Sequence, residues 1–292
     1  MREEGPPTGS ETSREVTSVT TIGGTGFRWG ERTYIMGVIN VTPDSFSGDG
    51  VAGRPQDALE QALAFEAEGA DLIDVGAEST RPGHTPISDE EELKRLLPVL
   101  EMLAPRVKLP LSVDTYKATV ARRALEAGAS MVNDVWGLKA DPDLARVAAE
   151  RGVPLVLMHN QHGTDYRDLM GDILASLRGS AGRALEAGVL RENIIVDPGI
   201  GFGKTPRQNL VVLRRLRELR SLGYPLLVGT SRKSVIGYVL DLPVEERLEG
   251  TAATVALSIA EGADIVRVHD VKAMVRVARM CDAIVRGWSP RP

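Results

Sequence analysis

The chain has 292 residues, 42% hydrophobic and 26% charged, with a formal net charge of −5 and one cysteine. Those fractions are ordinary for a soluble globular protein and exclude a disordered or collagen-like chain, and no apolar run reaches the roughly 18 residues of a membrane span. The lone cysteine excludes a disulfide framework or cysteine-rich zinc module and fits a reducing cytoplasm, while mild acidity without a basic block argues against a nucleic-acid partner.

Residues 1–21 are polar and of mixed charge, without the apolar stretch of a secretion signal, and read as a frayed tail. After them, Phe27-Arg28-Trp29 and Thr33-Tyr34-Ile35 flank Gly30-Glu31-Arg32, which predicts a hairpin able to cap the bottom of a barrel. From Tyr34 onward, short β-branched runs alternate with amphipathic stretches. Strands are predicted at 34–40, 71–78, 110–115, 131–135, 154–159, 193–197, 225–230 and 265–269, each almost wholly apolar and ending in a polar residue. Helices are predicted at 56–68, 90–103, 117–127, 142–151, 172–187, 206–222, 246–261 and 273–286. Six of these helices run into a glycine (Gly69, Gly128, Gly152, Gly188, Gly223 and Gly262), the residue that supplies a left-handed helix stop. The series reads as an α/β chain with a single (β/α)8 TIM-barrel domain over residues 22–292 behind a short N-terminal arm; a doubly wound sheet is the alternative.

Barrel enzymes work where strands finish, and this chain concentrates polar residues there. They are Asn40; Glu78, Thr80 and Arg81; Asp114; Asn133 and Asp134; His159; Asp197; Thr230 to Lys233; and Arg267, His269 and Asp270. Asp114, Asn133 and Asp197 offer donors and acceptors to a flat polar heterocycle, which a buried site discriminates because a wrong ligand leaves polar groups unpaired. Lys233, Arg267 and His269 beside Asn40 suggest a bound anion such as phosphate.

Other motifs fall away. Gly203-Lys204-Thr205 resembles the end of a phosphate-binding loop, but Pro198 occupies the position of its earlier glycine. Gly199, Gly201 and Gly203 lack dinucleotide-fingerprint spacing and are read as letting a loop pass close to a ligand. The four histidines make no zinc-binding pair at helical spacing, and Cys281 reads as a core residue of an amphipathic helix.

The strand ends lie in segments that resemble dihydropteroate synthases, the sulfonamide-inhibited enzymes of folate biosynthesis. The segments are Ile35-Met36-Gly37-Val38-Ile39-Asn40-Val41-Thr42-Pro43-Asp44-Ser45-Phe46-Ser47 and Asp74-Val75-Gly76-Ala77-Glu78-Ser79-Thr80-Arg81-Pro82-Gly83. Then follow Ser112-Val113-Asp114-Thr115, Asn133-Asp134, Asp197-Pro198-Gly199-Ile200-Gly201-Phe202-Gly203-Lys204, Ser231-Arg232-Lys233-Ser234 and Arg267-Val268-His269-Asp270. The resemblance implies a (β/α)8 barrel that joins 6-hydroxymethyl-7,8-dihydropterin diphosphate to 4-aminobenzoate. By the same resemblance Thr80, Asp114, Asn133, Asp197 and Lys233 hold the pterin with Arg267 packed over it, and Asp114, Lys233 and Arg267 take part in catalysis. Asn40, Arg267 and His269 bind diphosphate, and Asn40 is a ligand for Mg²⁺. Phe46, Thr80, Arg81, Pro82 and Ser231 line the 4-aminobenzoate pocket.

The implied reaction is a dissociative substitution in which diphosphate departs before the weakly nucleophilic aniline attacks, so positioning matters more than a general base. One departure from the pattern is Gly48-Asp49-Gly50 after Ser47, where the family more often has Asp-Gly-Gly. The stretch Met158-His159-Asn160-Gln161-His162-Gly163 is variable in the family, and His162 reads as solvated loop. The rival readings are a pterin-binding methyltransferase barrel, a Schiff-base aldolase using Lys233, and a non-catalytic pterin-binding protein. Residues 251–259 are apolar on more than one face, which suggests an interface, and the resemblance implies a homodimer.

Overall fold

The computed structural model describes residues 19–41, 55–79 and 85–287, and within them all eight apolar runs form parallel strands. They are β3 (Tyr34–Asn40), β4 (Leu72–Gly76), β5 (Leu111–Asp114), β6 (Met131–Asp134), β7 (Leu155–Met158), β8 (Ile194–Asp197), β9 (Leu227–Val228) and β10 (Ile265–Val268). They follow a pair of short N-terminal strands, β1 (Val19–Ile22) and β2 (Thr25–Arg28). The large sheet runs β8-β7-β6-β5-β4-β3-β10-β9 and closes through a parallel bridge between Val196 and Leu226. Closure leaves no open edge, as in a (β/α)8 barrel.

The surrounding helices are α1 (Pro55–Glu68), α2 (Asp89–Leu103), α3 (Ala118–Glu126), α4 (Asp143–Arg151), α5 (Leu169–Glu186), α6 (Pro206–Arg214), α7 (Ser234–Leu240), α8 (Leu248–Ala260) and α9 (Val271–Val285). The six glycines read as helix stops all take positive φ. The predicted 206–222 helix starts at a Thr205–Gln208 capping box with Pro206 inside it, but changes at Arg215 into a tighter 3-10 segment, Leu216–Leu222. Helix α7 was not anticipated. Its sequence, SVIGYVL, is rich in β-prone residues and contains a glycine, so local propensity argues against the helix that packing imposes.

The hairpin lies one strand earlier than predicted. β1 and β2 pair antiparallel across Gly23-Gly24, both at positive φ, as a two-residue turn between right-twisted strands requires. Val19–Ile22 therefore belongs to the folded structure, although residues 19–21 fall in the segment read as a frayed tail.

The hairpin does plug the barrel. Ile22, Phe27 and Trp29 cluster with Tyr34 and with an interior ring formed by Met36, Leu72, Met131, Val156, Ile195, Leu227 and Ile265. Phe27 is 1% exposed and its ring centroid is 4.7 Å from that of Tyr34, while Trp29 Nε1 donates to Thr20 Oγ1 at 2.8 Å. Truncation of Phe27 to alanine is expected to cost about 3–5 kcal/mol in urea unfolding, since the rigid barrel floor cannot collapse into the cavity. A cost below about 1 kcal/mol would show that the hairpin is not part of the core.

Candidate active site

Side chains on a strand alternate between faces, so the residues two positions beyond the apolar floor ring also point into the barrel. They are Val38, Asp74, Asn133, Met158, Asp197, Gly229 and Arg267, joined by Ser112 and Asp114 of β5. The floor is apolar and the upper half is polar.

At its centre, Arg267 Nε donates to Asp74 Oδ2 at 2.7 Å and its Nη2 donates to Asp114 Oδ2 at 2.8 Å. Asn133 Nδ2 adds a second donor to Asp74 Oδ2 at 2.9 Å. Asp74 is wholly buried. Three acceptors in this patch, Asp74 Oδ1, Asp114 Oδ1 and Ser112 Oγ, are buried without a hydrogen-bond partner among the described residues. Buried polar atoms are nearly always paired, so this patch is built for a ligand that brings donors.

Burial, opposed by Arg267 and reinforced by the Asp74 charge, pushes the Asp114 carboxyl up to about 7 from 3.8. Between those values the native state holds a proton that the unfolded chain has released, so this group's contribution to stability falls as pH rises from about 4 to about 7. Urea melts at pH 5 and pH 8 are expected to show a larger decline in the wild type than in Asp114→Asn. Coincident slopes would remove the proton from Asp114.

A second cluster follows β8. Asp197 Oδ1 accepts the Gly199 N–H at 2.7 Å, and burial raises the carboxyl against the fields of Lys233 and Lys204. Lys233, the residue before α7, donates from Nζ to Ile200 O at 2.5 Å and lies 4.8 Å from the centroid of the Phe202 ring. Burial pulls its ammonium down to about 8. Two glycines of this loop let it pass close to neighbouring backbone. A Cβ on Gly199 would sit 2.0 Å from His159 O, and one on Gly203 would sit 2.7 Å from Gln161 O.

The remaining predicted residues divide. Ser231 and His269 meet, with Oγ 3.0 Å from Nδ1, and Asn40 is half-buried at the end of β3. Phe46, Thr80, Arg81 and Pro82 lie outside the described residues. Glu78 accepts from Tyr116 and Lys117, and Asp134 accepts the backbone N–H groups of Trp136 and Leu138. Asp270 pairs with Arg232, and His159 with Lys204. These four strand-end residues brace loops, a role that residue type alone does not distinguish from ligand binding. Arg267 is held by two carboxylates, Asp74 and Asp114.

A family profile described as pterin binding enzyme matches residues 36–269. The dihydropteroate synthase of Clostridium beijerinckii is 53% identical over 266 residues, spanning 91% of this chain and 99% of that protein. The chain belongs to the dihydropteroate synthase family. The crystal structure of the Clostridium difficile dihydropteroate synthase in the presence of pteroic acid superposes with a TM-score of 0.86 at 52% identity, covering 89% of this chain and 99% of that one. The Xanthomonas albilineans dihydropteroate synthase with 4-aminobenzoic acid gives 0.86 at 38% identity, covering 94% and 100%. Membership of this family of transferases removes the methyltransferase, aldolase and non-catalytic alternatives.

For a dihydropteroate synthase the residue most conspicuously missed is Asp74. Its signal was present: an acid at an inward position of Leu72–Gly76, a strand otherwise made of Leu, Ile, Val and Gly, is tolerated only when paired. Phe202, whose ring lies against the Lys233 ammonium, carries no comparable signal in a loop dominated by glycines.

Proposed function

We propose that this chain condenses 6-hydroxymethyl-7,8-dihydropterin diphosphate with 4-aminobenzoate to give 7,8-dihydropteroate and diphosphate, with the pterin seated in the polar upper barrel. The observation that carries this reading is the trio of unpartnered buried acceptors at Asp74, Asp114 and Ser112. An amino-pyrimidinone edge presents adjacent N–H donors of the kind such acceptors need. In this reading Thr80, Asp114, Asn133, Asp197 and Lys233 hold the ring and Arg267 packs over it. Asn40, Arg267 and His269 receive the diphosphate, with Ser231 fixing the His269 imidazole. Phe46, Thr80, Arg81, Pro82 and Ser231 form the 4-aminobenzoate pocket. The relatives solved with pteroic acid and 4-aminobenzoic acid support both halves of the assignment.

In the reaction the bond between the pterin methylene carbon and the diphosphate oxygen breaks, its electron pair leaving with diphosphate. The aniline nitrogen then supplies the pair for the new C–N bond and loses a proton to solvent. In this reading Lys233 and His269 supply positive charge to the leaving group, and the carboxylates of Asp114 and Asp74 offset the charge of the cationic ring. No side chain has to act as a general base. Orientation by the rigid strand ends does most of the work.

The amide oxygen of Asn40, half-buried at the barrel mouth, is the type of ligand magnesium takes. In this reading Asn40 and diphosphate oxygens would hold it; among the described residues no group of three or more His, Cys, Asp or Glu is placed to cage an ion. Magnesium supplies charge neutralisation to the departing diphosphate.

A homodimer is the assembly we propose. Tyr238 and Val239 of α7, Leu248 and Leu257 of α8, and Met280 and Ile284 of α9 expose apolar surface that association would cover. A cytoplasmic setting fits the single thiol, Cys281. The test of the function is diphosphate release from the pterin diphosphate with and without 4-aminobenzoate. Release matched by dihydropteroate formation supports it, and absence of both under Mg²⁺ excludes it.

A further inference from the structure

Lys204 has no part in the site just described, yet it is only 8% exposed. Its Nζ lies 3.0 Å from each of three neutral acceptors: His159 Nδ1, Gly199 O and Phe202 O. Burial and the charges of Lys204 and Lys139 keep the His159 imidazole neutral, which leaves Nδ1 able to accept. Burial pulls the Lys204 ammonium down to about 7, and the three converging acceptors hold it in place against that desolvation cost.

The two carbonyls held by Lys204 bracket Ile200 and Gly201. Ile200 O accepts from Lys233 Nζ, and the Gly201 backbone passes so close to the Lys233 side chain that an added Cβ would lie 3.1 Å from Cδ. Gly199 carries the N–H that fixes the Asp197 carboxylate, and Phe202 carries the ring against the Lys233 ammonium. Both pterin-holding side chains of this half of the site therefore take their positions from one short loop. A single ammonium ties that loop to the end of β7 through His159.

We infer that Lys204 is a positioning residue: by tying the Gly199 and Phe202 carbonyls to His159, it sets Asp197 and Lys233 in the geometry that holds the pterin. The inference rests on the proposed function, because it takes the pterin as the ligand of those two groups. Loss of the tie leaves two loop carbonyls unpaired, and a displacement of about 1 Å at such a site can cost a hundredfold.

The experiment is calorimetric binding of 6-hydroxymethylpterin to wild type, Lys204→Met, Lys233→Met and the double variant, with thermal melts alongside. Lys204→Met is expected to weaken binding about tenfold, or ~1.4 kcal/mol, and to weaken it far less in the Lys233→Met background, because part of its effect passes through Lys233. Equal losses in both backgrounds, or no loss in the first, would overturn the inference. If Lys204→Met does not fold, His159→Leu and His159→Asn decide. Leucine removes one acceptor and is expected to weaken binding, whereas asparagine offers an acceptor in place of Nδ1 and is expected to restore it. Identical behaviour of that pair overturns the inference. A wild type that fails to bind the pterin defeats the proposed function and this inference together, whereas normal wild-type binding with an unaffected Lys204→Met defeats the inference alone.

Discussion

Exchange of Arg267 for methionine is expected to abolish dihydropteroate formation and to cost the fold about 3–5 kcal/mol, because it strands two buried carboxylates. Asp74 is fully buried, and among the described residues its Oδ2 accepts from the side chains of Arg267 and Asn133, while Asp114 Oδ2 accepts from the same guanidinium. A planar fork serves both acids at once; the point charge of a lysine cannot, so Arg267→Lys is expected to recover only part of the loss. Adding Asp74→Asn to Arg267→Met removes one stranded charge. It should return much of the stability measured by urea unfolding without returning turnover. An Arg267→Met protein of wild-type stability would show that the ion pairs contribute nothing to the fold, and normal dihydropteroate formation would remove Arg267 from the site.

Asp197→Asn is expected to separate binding from stability in the opposite way. Burial already raises the Asp197 carboxyl, and an asparagine oxygen can still accept the Gly199 N–H, so the melting temperature should hold or rise. Pterin affinity should fall about a hundredfold, or ~2.7 kcal/mol, since a neutral amide in place of the carboxylate loses charge-assisted hydrogen bonds and turns an N–H towards the ligand's own donors. Calorimetry with 6-hydroxymethylpterin measures this directly. Unchanged affinity would take Asp197 out of the pterin site.

These two variants differ for a reason that residue type does not disclose. Both positions carry a charge on an inward-facing strand residue, and both were legible as site candidates. Arg267 is bound to carboxylates 193 and 153 positions away in the chain, whereas Asp197 is fixed by a backbone N–H two positions on. Local partners can be read along a strand and its loop; distant ones arise only when the barrel closes. The same distinction explains the misplaced hairpin, where a glycine turn at 30–32 and one at 23–24 are equally plausible until the aromatic plug of Phe27 and Trp29 selects the second. It also explains Glu78, His159 and Asp270, whose partners sit on loops that the fold brings alongside, whereas Asp134 is held locally by the N–H groups two and four positions on.

By itself the sequence determined the number and order of the barrel strands, the glycines that stop the helices, and the kinship with dihydropteroate synthases. Strand alternation, helix termination and motif spacing are all set by neighbouring residues. Only the tertiary structure decided which polar residues become a site. Closure of the sheet places Asp74, Asp114, Asn133 and Arg267 against one another above an apolar floor and leaves three acceptors without partners. It likewise made α7 a helix against its own propensities and set the carbonyls of the loop after β8 around Lys204. Pairing energies in a buried interior depend on which groups share it, and that is a property of the folded whole.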